Sequence, residues 1–392
     1  MIKQAIILAA GEGERLRPFT LLKPKVMIPI ANKPILQYVV EALTQSGIRR
    51  IVIVVGYHKE QVQDFFGSGE QFRAEIKYVV QNQQLGTAHA LKQARAVAEE
   101  RFLVLPGDNI IDSTTIAELS SIGTDTILVK EQSDGFKYGV VALKNGVVDK
   151  LVEKPGDGQG ILVNTGIYAL GTSIFSFIER EVDLPTALNN FVAANHSVAV
   201  KTTKGAWLDV LYPWDILKLN ESALSETNAK VSGALERNVV ITGKVAIGPD
   251  CVIRSHSYIM GPAVIGQNCE IGPGACILPS TSIGDNVVIS PFTLIRNSVI
   301  GNNVIIGPHS SLQDSVVDRG SQLGGCFMAH SGQSDVKIDQ EYHQVRLGVM
   351  VGEHCETGDN VVAMPGVMLG NHSRIKALKV LEHNVPDGSL VV

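Results

Sequence analysis

From Ile247 to Val288 the chain reads IGPDCVIRSHSYIMGPAVIGQNCEIGPGACILPSTSIGDNVV. Isoleucine occupies every sixth position, and the register extends to Ile241 on one side and to Ile289 and Ile295 on the other. Such a period fits neither the helical repeat nor strand alternation. It fits a solenoid whose flat sides are six residues long, each turning its isoleucine inward. The register slips by one at Ile300, runs on through Ile306 and Leu312, and is interrupted between Gly325 and Val345. It resumes at Val351, Thr357, Ala363, Leu369 and Ile375. The spacing therefore predicts a parallel β-helix over residues 239–392.

Upstream the text is different. Runs such as QAIILAA, RIVIVVG, EIKYVVQ and FLVLPGD alternate with amphipathic stretches such as KPILQYVVEALTQSG and GTAHALKQARAVAEE. Short apolar runs between helical patterns predict βα units around a mostly parallel, Rossmann-like sheet, an α/β domain over residues 1–225. A linker helix is expected over 226–238. Two domains suit a chain of 392 residues.

The totals exclude several classes. Net charge is −5 without a long basic or acidic run, which argues against nucleic acid or an anionic membrane as partner. No apolar stretch reaches spanning length, and the N-terminus lacks a signal-peptide pattern. Five cysteines lie scattered in the second half without a CxxC pair, as expected of reduced packing residues in a cytoplasmic protein.

After the first apolar run comes LAAGEGERLRPFTLLKPK, Leu8 to Lys25. Small residues after a strand let backbone N–H groups approach a phosphate. The Walker A spacing is absent, and a dinucleotide fingerprint would need glycine where Leu16 stands. What remains is Gly11 and Gly13, then Arg15 as a planar fork and Lys25 as a movable charge, a pattern suited to a polyanion such as a triphosphate.

This run closely resembles the signature of the sugar-1-phosphate nucleotidylyltransferases. The likeness continues in order through QNQQLGTAHA, LPGD, YGVV, VEKP, NTGIY and WLD, covering residues 1–225. It implies an enzyme that joins a nucleoside triphosphate to a sugar 1-phosphate, releasing pyrophosphate, with Mg2+ as cofactor. A phosphate nucleophile needs no general base, so cations and carboxylates are expected instead of a Ser/His/Asp set. By the resemblance, Leu8, Ala10, Gly11, Gly13, Gln81, Gly86 and Thr87 bind nucleotide, with Gln81 reading the base. Arg15 and Lys25 act on the phosphates, and Asp108 and Asp209 hold the metal. Gly139, Glu153, Lys154 and Asn164 take the sugar phosphate. His89 reads as a packed helix residue without chemistry. LAAG with QLGTAHA is nearer to enzymes making UDP-N-acetylglucosamine, and dTDP-glucose synthesis is the alternative.

The hexapeptide pattern resembles the left-handed β-helix family, which includes many trimeric acyltransferases. Bifunctional relatives of archaeal type use such a domain, with acetyl-CoA, to N-acetylate an amino-sugar 1-phosphate. His309 matches the relative position of their base, but their tyrosine is Ser311 here and their asparagine is Gln322. Lys337 lies in the interruption, where correspondence is loose. The competing reading is a non-catalytic β-helix for assembly, as a trimer or dimer of trimers, or for regulation. A sugar-nucleotide sensor without activity is disfavoured because Arg15, Lys25, Asp108 and Asp209 are all present.

Overall fold

The strand Gln4–Ala9 carries isoleucines that are fully buried on both faces of its sheet, Ile6 toward one core and Ile7 toward the other. Such a strand belongs in the middle of a covered sheet. It pairs in parallel with Arg50–Val55 on one side and Arg101–Pro106 on the other. The computed structural model describes residues 1–132, 138–153 and 162–392. They form two compact units.

The first unit comprises Met1–Glu12, Leu22–Met27 and Pro34–Asp209. Its nine-stranded sheet runs, edge to edge, through Glu75–Val80, Arg50–Val55, Gln4–Ala9, Arg101–Pro106, Leu162–Gly171, Thr126–Glu131, Ala199–Thr203, Val147–Val152 and Val140–Lys144. The first four are mutually parallel, and Leu162–Gly171 enters antiparallel to both neighbours. The helices are α1 (Ile35–Gln45), α2 (Lys59–Phe66), α3 (Thr87–Gln93), α4 (Ser113–Ser120) and α5 (Leu184–Ala193). Asp112 and Asp183 cap α4 and α5 by accepting from Thr115 N and Thr186 N.

The second unit comprises Gly13–Leu21, Ile28–Lys33 and Val210–Val392. Three parallel sheets of eight, nine and eight strands form its sides. Ile253 pairs with Ile271 and Ile271 with Ile289, so identical positions stack coil on coil. The next step joins Ile289 to Ile306, one residue shorter, which is the slip seen in the sequence. All of these isoleucines are buried. Coil corners adopt left-handed backbone, and one corner column carries Asn268, Asn286 and Asn303 at φ 54, 57 and 59. Asparagine tolerates that region, and here the amides also form a ladder, Asn268 Nδ2 donating to Asn286 Oδ1 and Asn286 Nδ2 to Asn303 Oδ1. The interruption is an antiparallel hairpin, Gly332–Ile338 with Glu341–Leu347.

One expectation needs correction. Residues 226–238 form no helix: Lys230–Val231 and Ala234–Leu235 are the first strands of the solenoid, paired with Val245–Ile247 and Val252–Ile253. The ladder offered by the next coil overrides local helix propensity. The compact first unit ends at Asp209. The helix that follows, α6 (Asp215–Ser225), packs on the coils, with fully buried Asn220 accepting from Ala31 N and Ser282 Oγ and donating to Ser280 O.

Candidate functional site

Parallel strands end with exposed backbone groups, and the chain turns sharply there. Leu8 O accepts from Gly107 N, and Ala10 O accepts from Tyr57 N, fixing the exit of the first strand. A Cβ built on Gly11 meets nothing within 4 Å, so a ligand has room at that backbone. Gly13 is left-handed at φ 77, and Leu16 is 1% exposed, packed where a dinucleotide fold would need glycine. The anticipated phosphate loop is divided between units. Leu8, Ala10, Gly11 and Lys25 belong to the first, Gly13 and Arg15 to the second. Within the second unit, Arg15 Nε donates to Asp339 Oδ2 at 3.0 Å, at the tip of the hairpin.

The turn after Arg101–Pro106 presents Asp108. Lys25 Nζ lies 2.5 Å from Asp108 Oδ2. Next comes the strand Asn109–Ile111, which pairs antiparallel with Trp207–Asp209 so that Asp209 sits opposite Asn109. This short ribbon brings the two aspartates of LPGD and WLD to adjacent positions. Asn109, 2% exposed, donates its amide to Asp108 Oδ1 and accepts from Trp207 Nε1, both at 2.9 Å, in the orientation that satisfies both ends. Sequence reasoning does not single out Asn109, whose one signal is a polar side chain between two strand ends.

Asp108 and Asp209 are hard oxygen donors. Magnesium takes one or two protein carboxylates and completes its shell with phosphates and water, so this donor set fits it. Among the described residues, no cluster of three or more His, Cys, Asp or Glu forms a closed metal cage, which would suit a different ion.

Of the residues expected to bind nucleotide, Gln81 is 2% exposed, its backbone N–H donating to Val55 O. Its Nε2 lies 3.1 Å from Gly86 O and 2.9 Å from His89 Nδ1. Gly86 has φ 144, and a Cβ there would collide with the Val182 carbonyl. That carbonyl accepts from Ala88 N and His89 N, and Thr87 Oγ1 accepts from Leu184 N. The first amides of α3 are thus engaged by the chain itself.

Of the residues expected to take the sugar phosphate, Gly139, Glu153 and Asn164 come together. A Cβ on Gly139 would lie 3.2 Å from Glu153 Oε1, and Asn164 N donates to Gly139 O at 2.8 Å. Asn164 Nδ2 donates to the Tyr168 hydroxyl, and its Oδ1 accepts from Gly166 N. Burial pushes the Tyr168 pKa well up, so the hydroxyl stays neutral as Asn164's partner. Lys154 lies outside the described residues.

His309 stands apart in the second unit. It occupies an exposed left-handed corner at φ 58, stacked on Phe292 with ring centroids 5.2 Å apart. Phe292 and Cys326 occupy the same corner of neighbouring coils, at φ 58 and 56. Among the described residues no carboxylate pairs with the His309 ring.

Comparison with known proteins matches the nucleotidyl transferase family over residues 4–226 and the GMPPB C-terminal domain over 259–343. The "Bifunctional protein GlmU" of Methanococcus maripaludis is 33% identical over 405 residues, spanning 99% of this chain and 96% of its own. A "Bifunctional sugar-1-phosphate nucleotidylyltransferase/acetyltransferase" of Sulfurisphaera tokodaii is 32% identical, with 98% of each chain covered. A solved structure of a putative glucose-1-phosphate thymidylyltransferase from Bacillus anthracis aligns with TM-score 0.53 and 27% identity, over 59% of this chain and 98% of that one.

Proposed function

Because the chain belongs to the nucleotidyl transferase family, in company with bifunctional sugar-1-phosphate nucleotidylyltransferase/acetyltransferases, we propose that it transfers a nucleotidyl group from UTP to N-acetylglucosamine 1-phosphate. The observation that carries this reading is the ribbon setting Asp209 opposite Asn109, beside an Asp108 that Lys25 and Asn109 hold from two sides. A sugar phosphate oxygen attacks the α-phosphorus of the triphosphate, and pyrophosphate leaves. Lys25 offsets charge on the phosphates, and the open backbone at Gly11 admits them. Asp108 and Asp209 would hold Mg2+, which supplies charge neutralisation at the triphosphate when bound. Arg15, by the same reading, is a further cation for the phosphates, and its exposed pairing with Asp339 is worth at most about 1 kcal/mol. Gln81, Gly86 and Thr87 are assigned to the nucleoside, and Gly139, Glu153, Asn164 and Lys154 to the sugar phosphate. dTTP with glucose 1-phosphate is the alternative substrate pair.

A second reading concerns the β-helix. The relatives' names include acetyltransferase, and the exposed His309 supports acetyl-CoA-dependent N-acetylation of an amino-sugar 1-phosphate. The same domain supports a homo-oligomer, a trimer or a dimer of trimers, and a cytoplasmic location is part of the same reading. Along one outer face run Val240, Tyr258, Cys276, Leu294, Ser311, Met328, Val362 and Val380, a row apolar but for Ser311 and suited to self-association. Purified protein given UTP, Mg2+ and N-acetylglucosamine 1-phosphate should release pyrophosphate. In parallel, acetyl-CoA with glucosamine 1-phosphate tests for free CoA. No pyrophosphate with any uridine or thymidine triphosphate and hexose 1-phosphate pair would defeat the main reading.

A further inference from the structure

The ribbon that carries Asp209 has three residues in each strand and stands apart from the nine-stranded sheet. Two strands of that length are not stable by their own pairing. The end where Asp209 faces Asn109 is bridged from Asn109 to Trp207. At the other end Ile111 faces Trp207, with Asp112 following one strand and Gly205 two residues ahead of the other. There Asp112 accepts from Thr115 N and from Thr115 Oγ1, both at 2.8 Å. The Thr115 hydroxyl has one hydrogen, so its 2.8 Å contact with Thr203 Oγ1 is donated by Thr203. Thr203 Oγ1 in turn accepts from Gly205 N at 3.0 Å. The hydrogens run one way, from the Gly205 amide through two buried hydroxyls to the Asp112 carboxylate.

Capping α4 needs only the bond from Thr115 N, and the rest of this chain leads across to the other strand of the ribbon. Gly205 is held from its carbonyl as well, which accepts from Lys130 Nζ at 2.6 Å. Lys130 belongs to the large sheet, where it lies in register with Thr203. Burial holds its pKa below the ordinary lysine value, against the pull of the Asp112 carboxylate. A Cβ on Gly205 would collide with Asp112 Oδ2 and Thr115 Oγ1, so only glycine allows this approach. We propose that Lys130 and Thr203 are positioning residues of a polar clasp that ties the ribbon shut at this end and thereby sets the spacing of Asp108 and Asp209 at the other. The inference rests on the reading of those two aspartates as the metal pair.

The test is amide exchange by mass spectrometry on the full chain without metal. It is read over peptides spanning 109–111 and 207–209, with the buried strand Gln4–Ala9 as internal reference. Wild type is compared with Lys130→Met, with Thr203→Val, which keeps the branching and removes the hydroxyl, and with Thr203→Ser, which keeps the hydroxyl. Lys130→Met and Thr203→Val should exchange about tenfold faster in the ribbon, the weight of about one hydrogen bond, with the reference strand unchanged. Thr203→Ser should stay near the wild type. In pyrophosphate release the same two variants should need about tenfold more Mg2+ for half-maximal rate, while KM for nucleotide and sugar phosphate at saturating Mg2+ holds. The inference is overturned if the ribbon of either variant exchanges as in the wild type, if Thr203→Ser loosens as much as Thr203→Val, or if the reference strand loosens equally. It is also overturned if the ribbon loosens and the Mg2+ requirement stays. Asp209→Asn in the same titration separates the two readings. Turnover by that variant at the wild-type rate and Mg2+ requirement would mean that the metal reading itself fails. If it is impaired, an unchanged Mg2+ requirement in Lys130→Met and Thr203→Val tells against the clasp alone.

Discussion

The two units treat their candidate catalytic groups in opposite ways. Around Asp108 the first unit gathers a lysine, an asparagine and an indole N–H, each placed by a different strand or loop. Around His309 the second unit offers a stacked phenylalanine and the repeating corner of a solenoid. A β-helix repeats one backbone geometry, so a single polar residue on a corner has neighbours chosen by the repeat. A mixed sheet with crossovers brings unlike segments to one edge, and that is where polar groups can converge. Presence of a residue type is therefore weak support in the second unit and strong support in the first.

The contrast can be sharpened by substitutions. Among substitutions of the supporting residues, the largest effect is expected from Asn109→Leu, which strands the indole N–H of Trp207 and removes a hydrogen from Asp108. Stability should fall by about 1–3 kcal/mol in urea titration, and pyrophosphate release should drop with it. Retention of both would show that the ribbon needs no bridge. Tyr168→Phe is milder. Asn164 loses a partner worth about 1 kcal/mol, so KM for the sugar phosphate should rise about fivefold while KM for the nucleotide holds. An equal rise in both would place Asn164 outside the sugar subsite. His309→Ala should leave pyrophosphate release at the wild-type rate and remove whatever CoA release the protein shows. Loss of both activities would mean that the two units do not work independently.

The buried thiols mark the far end of this scale. Burial pushes Cys269 up to about 12 and Cys355 up to about 11, so neither forms thiolate at neutral pH. Labelling with a maleimide at pH 7 should spare both in the folded protein, and rapid modification of either would argue against the packed solenoid interior.

Much of this architecture is legible in the sequence because the deciding signals are periodic or ordered. The inward isoleucines announce the coils, and their buried positions Ile253 to Ile295 follow the written register. The slip at Ile300 and the interruption after Gly325 correspond to a shorter coil and to the hairpin beginning at Gly332. The stretch ETNAKVSGALERN reads as helix because alanine, lysine, leucine and glutamate favour helix locally. Its strand state depends on partners such as Val252 that lie one coil away. The same limit applies at the site. Asp108 and Asp209 stand out by motif, but the role of Asn109 exists only in what it touches. That contact leaves no spacing rule in the chain. Arg15 pairing with Asp339, 324 residues later, lies equally beyond any local pattern.

The most direct test of a two-carboxylate nucleotidyl site is pyrophosphate release by Asp108→Asn and Asp209→Asn, each titrated with Mg2+ from micromolar to millimolar. Asparagine keeps the shape and removes the charge, so the fold should survive by circular dichroism. Each variant should lose on the order of a hundredfold or more in rate, without recovery at high Mg2+. A wild-type rate in either folded variant would contradict the assignment of these two aspartates to the metal.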